Sequence, residues 1–85
     1  MPEPINFDGM DRDDVYTWCH TPVHTINKAL GLPPQARKIA HAYTQYAWNK
    51  YTAMGLRATG KITEACTYEA ICDKIYAALP TAWRW

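Results

Sequence analysis

The sequence predicts an all-α protein, a small single-domain bundle of three or four helices around a long central helix. Three observations support this fold class. The 85 residues suffice for only one compact domain. Apolar residues recur at spacings of three and four, and prolines and glycines bound the periodic stretches.

The first ten residues predict an acidic extended arm, and residues 11–85 predict the helical domain. The arm contains two prolines and the turn-forming pair Asp8-Gly9, but no repeating apolar face. Asp11 then opens a first helix over about residues 11–19. Acids in its first turn complement the helix dipole, and Val15 and Cys19 recur at helical spacing.

A second short helix is predicted over about residues 22–30. Thr21 is placed to cap its N-terminus, because Pro22 suits the first helical position. Val23, Ile26 and Leu30 supply its apolar face. Gly31 should end the helix.

The central helix is predicted over residues 34–54, starting at Pro34 and ending before Gly55. Its apolar face consists of Ala36, Ile39, Ala40, Tyr43, Tyr46, Ala47, Tyr51 and Met54. Residues 56–62 fit either a one-turn extension or a short extended segment. A last helix begins at Thr63 or Thr67 and runs to Leu79, where Pro80 stops it.

The cysteine count and the first residues predict a cytoplasmic protein. Three cysteines are an odd number, whereas a small secreted domain usually carries an even disulfide framework. The N-terminal residues have neither the basic nor the apolar region of a secretory signal. No apolar run approaches the ~18 residues of a membrane span, so we expect no membrane partner.

The sequence predicts neither an enzyme nor a bound metal or cofactor. His20 and His24 are four residues apart, but no Cys-x-x-Cys or His-Glu-x-x-His pattern accompanies them. The chain contains no serine, which excludes a serine triad, and its four glycines are isolated, which argues against a phosphate loop. Cys19 adjoins His20, but neighbouring helical residues do not face one another.

Charge is distributed unevenly along the chain. Residues 1–14 carry a net charge of −4, whereas residues 15–63 carry +6 and contain no acid. An acid-free stretch of this length predicts a basic face suited to nucleic acid or to an acidic protein surface. Alternatively, the acidic arm folds back and neutralises it.

One polar stripe of the central helix is the candidate partner-binding site. It contains Arg37, His41, Gln45 and Trp48, on the side away from the tyrosine–alanine face. Trp and Arg are the residues most enriched at interaction hot spots, so the stripe predicts a macromolecular partner, first of all a protein. Alternatively, the arm or the C-terminal tail covers Trp48. Trp83 and Trp85 admit the same two interpretations.

The segment Thr25-Ile26-Asn27-Lys28-Ala29-Leu30-Gly31-Leu32 resembles the first helix and glycine turn of a DNA-binding helix-turn-helix. That resemblance implies a nucleic-acid-binding protein, for which Lys28, Arg37, Lys38 and Lys50 are the candidate contacts. Asn27 and Arg37 depart from the pattern, because a small residue and an aliphatic residue are expected at their positions.

The sequence therefore predicts a small non-enzymatic regulator or inhibitor that binds a larger protein or a protein–nucleic-acid assembly. Proteins of this size without catalytic motifs are frequent among phage-encoded inhibitors, anti-CRISPR proteins among them, so that class is included in the prediction. Helix-turn-helix-like binding of nucleic acid is the alternative. A small core can also gain buried area from a second copy, which makes a homodimer possible.

Overall fold

A computed structural model describes residues 3–33 and 35–85, and these residues form helices and connections without a strand. The helices are α1 (Arg12–Cys19), α2 (Val23–Leu30), α3 (Arg37–Ala58) and α4 (Ile62–Ala78), followed by a 3₁₀ turn at Thr81–Trp83. The other three helices all pack against α3. The predicted all-α bundle around a long central helix is confirmed.

Helix α1 begins beside Asp11, as predicted, whereas the cap predicted for α2 is absent. Asp11 caps α1, because its side chain accepts a hydrogen bond of 2.8 Å from the Asp14 N–H. At α2 the capping position is Pro22, which provides no side-chain hydrogen bond. Thr21 was predicted there, but its hydroxyl donates to the Thr17 carbonyl at the end of α1, 2.8 Å away. The predicted Thr21 cap is therefore wrong.

Gly31 ends α2 as predicted. Its φ of 68° is left-handed, which glycine adopts at little cost. The N–H groups of Gly31 and Leu32 donate to the Lys28 and Asn27 carbonyls, at 3.1 Å and 2.8 Å. These two bonds form a Schellman motif and satisfy carbonyls that the helix end leaves free.

Both predicted ends of the central helix are wrong. Pro34, the predicted start, lies outside the described residues. Helix α3 begins at Arg37, and the Ala36 N–H just before it donates to the Pro33 carbonyl. Gly55 does not terminate the helix, which continues to Ala58. Gly60, with φ of 81°, makes the Schellman turn instead. Residues 56–62, for which the sequence allowed two conformations, therefore comprise the last turn of α3, a short connection and the first residue of α4.

The predicted core face of α3 is confirmed at its centre, where Ala40 and Ala47 are buried, whereas Ile39, Tyr51 and Met54 are only partly buried. Tyr43 and Tyr46 are buried, and Val15, Ile26 and Leu30 of the short helices complete the core beside them. Two residues from outside the helical region also join this cluster. Phe7 is fully buried, and Trp85 packs its ring 5.2 Å from the ring of Phe7. Residues near both ends of the described chain thus pack on the same aromatic core.

Candidate functional site

The exposed side of α3 carries the four residues that the sequence singled out for partner binding. Arg37, His41, Gln45 and Trp48 are all exposed. At 100° per residue they occupy an arc of about 80° around the helix axis, so their side chains leave α3 in similar directions. We call this surface the α3 face.

Trp48 lies on the surface of the protein. Its side chain is 42% exposed, a large value for the residue type with the greatest apolar area. The C-terminal Trp85 packs against Phe7 and Tyr46 on another side of α3 and does not cover it. Trp83 and Trp85 are both half-buried against the core, so they close the bundle.

Helix α1 brings further aromatic side chains to Trp48. His20 meets Trp48 edge to face, with ring centroids 5.2 Å apart, and Tyr16 lies 4.4 Å from His20. Tyr16 in turn lies 5.3 Å from Tyr51 of α3. We call Tyr16, His20, Trp48 and Tyr51 the aromatic cluster.

The aromatic cluster follows from antiparallel packing of two helices. Arg12 and Tyr16 are four residues apart and therefore share one side of α1, and His20 follows at the same spacing just beyond the last residue of the helix. Along α3 they meet positions of decreasing number, since the Arg12 guanidinium lies 4.3 Å from the Tyr51 ring centroid and His20 reaches Trp48. Sequence analysis missed Tyr16 and His20 as site residues. Their four-residue spacing was the signal that could have indicated them.

The other border of the α3 face is an open apolar groove between α3 and α4, with a volume of about 840 Å³. Ile39 and Ala42 of α3 line one side, and Ile71, Ile75 and Ala78 of α4 line the other. Ile71 is 37% exposed. Arg37, Lys38 and Gln45 supply its polar edge, and the described lining contains no acidic residue. We call this the α3/α4 groove.

The basic residues of the nucleic-acid alternative do not share one direction. Arg37 and Lys38 lie together at the start of α3, but Lys50 is about 140° around the helix from Arg37. Lys50 instead lines a small cavity of about 130 Å³ that also contains Glu69 and Asp73. Lys28 is exposed on α2. Phosphate contacts along a nucleic acid require cations that point to one track.

Asn27 departs from the helix-turn-helix pattern, which has a small residue at this position. Asn27 is only 3% exposed, and its Oδ1 has no hydrogen-bond partner among the described residues. Arg37, at the position where the motif buries an aliphatic residue, is exposed.

The cysteines and two tyrosines of the core are held in their neutral forms. Burial raises the pKa of the Cys72 thiol to about 11 and also raises the pKa of Cys19. Burial likewise raises the pKa of Tyr43 and of Tyr46 to about 12. Cys66 is exposed and lies 3.7 Å from the Arg57 guanidinium, which also pairs with Glu69.

Within residues 3–33 and 35–85, no three His, Cys, Asp or Glu side chains are grouped as a metal site requires. Over the same residues, no helix combines the length and apolar character needed to cross a membrane. Comparisons with protein-family profiles, curated proteins and solved structures give no match.

Proposed function

We propose that this protein is a small regulator or inhibitor that binds a larger protein through the α3 face, the aromatic cluster and the α3/α4 groove. The observation that supports this proposal is that Trp48, a member of the α3 face, is exposed and meets the ring of His20 at the end of α1. Tryptophan in a fixed position supplies a large contact area at low entropic cost.

The charges on this surface favour an acidic partner. Arg37 and Lys38 lie at the edge of the groove, and no acidic residue lies among the described residues that line it. Complementary charge steers association and selects partners, while the apolar contacts supply most of the affinity. The partner surface should therefore combine apolar side chains with Asp or Glu.

The size of the protein is compatible with this role. A stable interface buries about 800 Å² per partner. That area is about a seventh of the 5460 Å² of accessible surface. The α3 face and its two borders lie on helices packed against one core, so little ordering is required on binding.

The test begins with capture of partners from the native cell by the wild type, by Trp48→Ala and by Tyr68→Ala. Tyr68 is the matched control, because it is an exposed aromatic residue of α4 that belongs to neither the described groove lining nor the aromatic cluster. A protein captured by the wild type and the control but lost with Trp48→Ala supports the proposal. Capture that is abolished by nuclease supports the nucleic-acid alternative instead.

The captured protein is then titrated at two salt concentrations. We expect Trp48→Ala to weaken binding by about thirtyfold, the scale of an interface hot spot, while Lys38→Ala changes little. A nucleic-acid partner would instead make each loss of Lys28, Arg37, Lys38 or Lys50 reduce the salt slope by about one phosphate contact. Equal affinity of the wild type and Trp48→Ala would contradict the proposal.

A further inference from the structure

The α3/α4 groove matches an α-helix in length and shape. Its α4 wall consists of Ile71, Ile75 and Ala78, which share one side of that helix because they are spaced by four and three residues. At 1.5 Å per residue, Ile71 to Ala78 extends over about 10.5 Å, or two helical turns. Ile39 and Ala42 of α3 form the opposite wall. A ridge of side chains on a further helix packs into a space of this kind.

The apolar side chains of the groove remain accessible to water in the protein on its own. Ile71 is 37% exposed, and Ile39 and Ile75 are only partly buried. The groove has a volume of about 840 Å³ and is open to solvent. A small ligand would keep much of its surface in water there, whereas ligand pockets bury about 70–90% of it. The open shape therefore suits a macromolecular element that covers the groove.

An occupant of this groove has to satisfy its own backbone hydrogen bonds. An extended peptide binds well where it adds a strand to the edge of a sheet, and the described residues contain no strand. The walls of the groove are apolar side chains, which cannot pair with backbone N–H and C=O groups. Such groups cost free energy when they are buried without partners. An α-helix pairs them internally, so it can enter the groove without this cost.

Two cations lie where the start of α3 borders the groove. Arg37 and Lys38 occupy the first turn of α3, both are exposed, and neither forms an ion pair with a described residue. The positive end of the helix dipole is there, so cations at this position do not stabilise α3. The turn contains no acid, and Ala36 provides no side-chain cap. A carboxylate of a partner would compensate both the cations and the dipole.

We propose that the α3/α4 groove binds one amphipathic α-helix of the partner protein. The inference rests on the proposed function and specifies which part of the partner enters the groove. The helix carries apolar residues at positions i, i+3 or i+4, and i+7, the spacing that two turns of helix present to a groove. An Asp or Glu lies at the end of this apolar stripe, where it meets Arg37 and Lys38.

A second copy of the chain matches the groove less well. It would present the same concave face, and two concave faces leave a gap, whereas the cores of interfaces are packed as densely as protein interiors. The described lining of the groove also contains no acid that could pair with Arg37 and Lys38 of the other copy.

The first test is an NMR titration of the full chain, labelled at the isoleucine methyl groups, with a synthetic helical peptide of about four turns. The peptide carries leucine at i, i+4 and i+7, two glutamates after the last leucine, and alanine and glutamine elsewhere. Half of the six isoleucines line the groove, namely Ile39, Ile71 and Ile75. The other half lie outside its described lining, namely Ile5, Ile26 and Ile62.

We expect saturable shifts of the three groove methyl groups and little change in the other three. A peptide of the same composition, with the leucines moved so that they do not share one face, should bind at least about tenfold more weakly. Equal binding of the two peptides, or equal shifts inside and outside the groove, would overturn the proposal.

Charge reversal tests the acidic end of the helix. The double variant Arg37→Glu/Lys38→Glu should bind the glutamate peptide about tenfold more weakly, and it should bind the same peptide with lysine for glutamate more tightly than the wild type does. Acids at this position favour the dipole of α3, so a loss of binding does not reflect unfolding. Lys28→Glu/Lys61→Glu is the control, since it makes the same change in net charge at exposed lysines outside the described groove lining. Equal effects in the two double variants would overturn the proposal.

The last test uses the captured partner and separates this inference from the proposed function. Ile71→Glu should weaken binding of the partner at least about tenfold, and the glutamate peptide should compete with the partner for the wild type. Ile62→Glu is the matched control, because Ile62 is an exposed isoleucine of α4 outside the described groove lining. A partner that is lost with Trp48→Ala but kept by Ile71→Glu would overturn the inference and leave the proposed function intact.

The reverse result, a partner that requires Ile71 but not Trp48, would support the groove and contradict the proposed role of Trp48. Analytical ultracentrifugation tests the second copy as occupant. A wild-type dimer that Ile71→Glu dissociates would overturn the inference, because the groove would then be covered by another copy of the chain.

Discussion

His20 and Trp48 meet edge to face, with ring centroids 5.2 Å apart and planes at 75° to each other. The contact connects the C-terminal end of α1 to the middle of α3. It also restrains a tryptophan that is 42% exposed. The exposed indole therefore has a defined position before any partner arrives.

A double-mutant cycle should detect this pair. We expect a coupling free energy of about 0.5–1.5 kcal/mol between His20→Ala and Trp48→Ala in urea unfolding, the range for paired aromatic rings. Each single variant should remain folded, because both side chains are exposed. Additive losses in free energy would mean that the two rings do not stabilise each other.

Gly55 is the position where α3 accommodates the Arg12 side chain. A Cβ at Gly55 would lie 2.6 Å from Arg12 Nη2 and 3.2 Å from Arg12 Cζ. Gly55→Ala should therefore displace Arg12 from the Tyr51 ring, where its guanidinium lies 4.3 Å from the centroid. The lost cation–π contact of about 0.5–1 kcal/mol should offset the gain of about 0.4–1 kcal/mol from replacing glycine in a helix. We expect almost no net change in the free energy of unfolding.

The same substitution in the Arg12→Ala background separates the two effects. With the guanidinium removed, Gly55→Ala should stabilise the protein by about 0.4–1 kcal/mol, measured by urea unfolding. A loss of stability in both backgrounds would show that something other than Arg12 requires glycine at this position.

Tyr43 is buried and its hydroxyl donates to the Trp83 carbonyl, which fixes the C-terminal segment on the core. Tyr43→Ala should lower the free energy of unfolding by about 3–5 kcal/mol, as truncation of a core aromatic residue does. Tyr43→Phe keeps the ring and should lose only about 1 kcal/mol, the net contribution of one hydrogen bond. Equal losses in thermal or urea unfolding would mean that the hydrogen bond, and not the ring, dominates.

The helices could be predicted because their signals are local. The apolar spacing of α3 indicated that Tyr43 and Tyr46 face the core, and Gly31 marked the end of α2. The prediction that α3 ends before Gly55 was wrong for a physical reason. Glycine permits a helix to end, but it also permits close approach of another side chain, and only the packing of Arg12 distinguishes the two.

Long-range contacts explain what the sequence could not provide. Phe7 lies in a segment without helical periodicity, and it packs against Trp85, which is 78 residues away in the chain. The α3 face could be assigned from one helix alone, because the spacing of the apolar residues along α3 shows which side of the helix is exposed. The aromatic cluster could not be assigned in this way, because it depends on the antiparallel pairing of α1 with α3.

Alkaline pH should destabilise the protein through its buried tyrosines. Burial raises the pKa of Tyr43 and Tyr46 to about 12, above the ordinary value of 10.0. Between about pH 10 and 12 the unfolded chain releases these two protons while the folded chain retains them, so the folded state is increasingly disfavoured as pH rises. Each tyrosine should contribute a decline that is steepest near pH 11, at roughly 1 kcal/mol per pH unit.

Urea unfolding from pH 8 to 11.5 measures the decrease in the free energy of unfolding with pH. Tyr43→Phe and Tyr46→Phe should each reduce this decrease by the contribution of one tyrosine. Tyr68→Phe is the matched control, because Tyr68 is an exposed tyrosine outside the core. Absorbance at 295 nm provides a second readout, in which the two buried tyrosines should ionise only as the protein unfolds or as the pH approaches 12. If either core variant kept the full decline of the wild type, the corresponding hydroxyl would be ionising in water, and the burial that raises its pKa would not exist in solution.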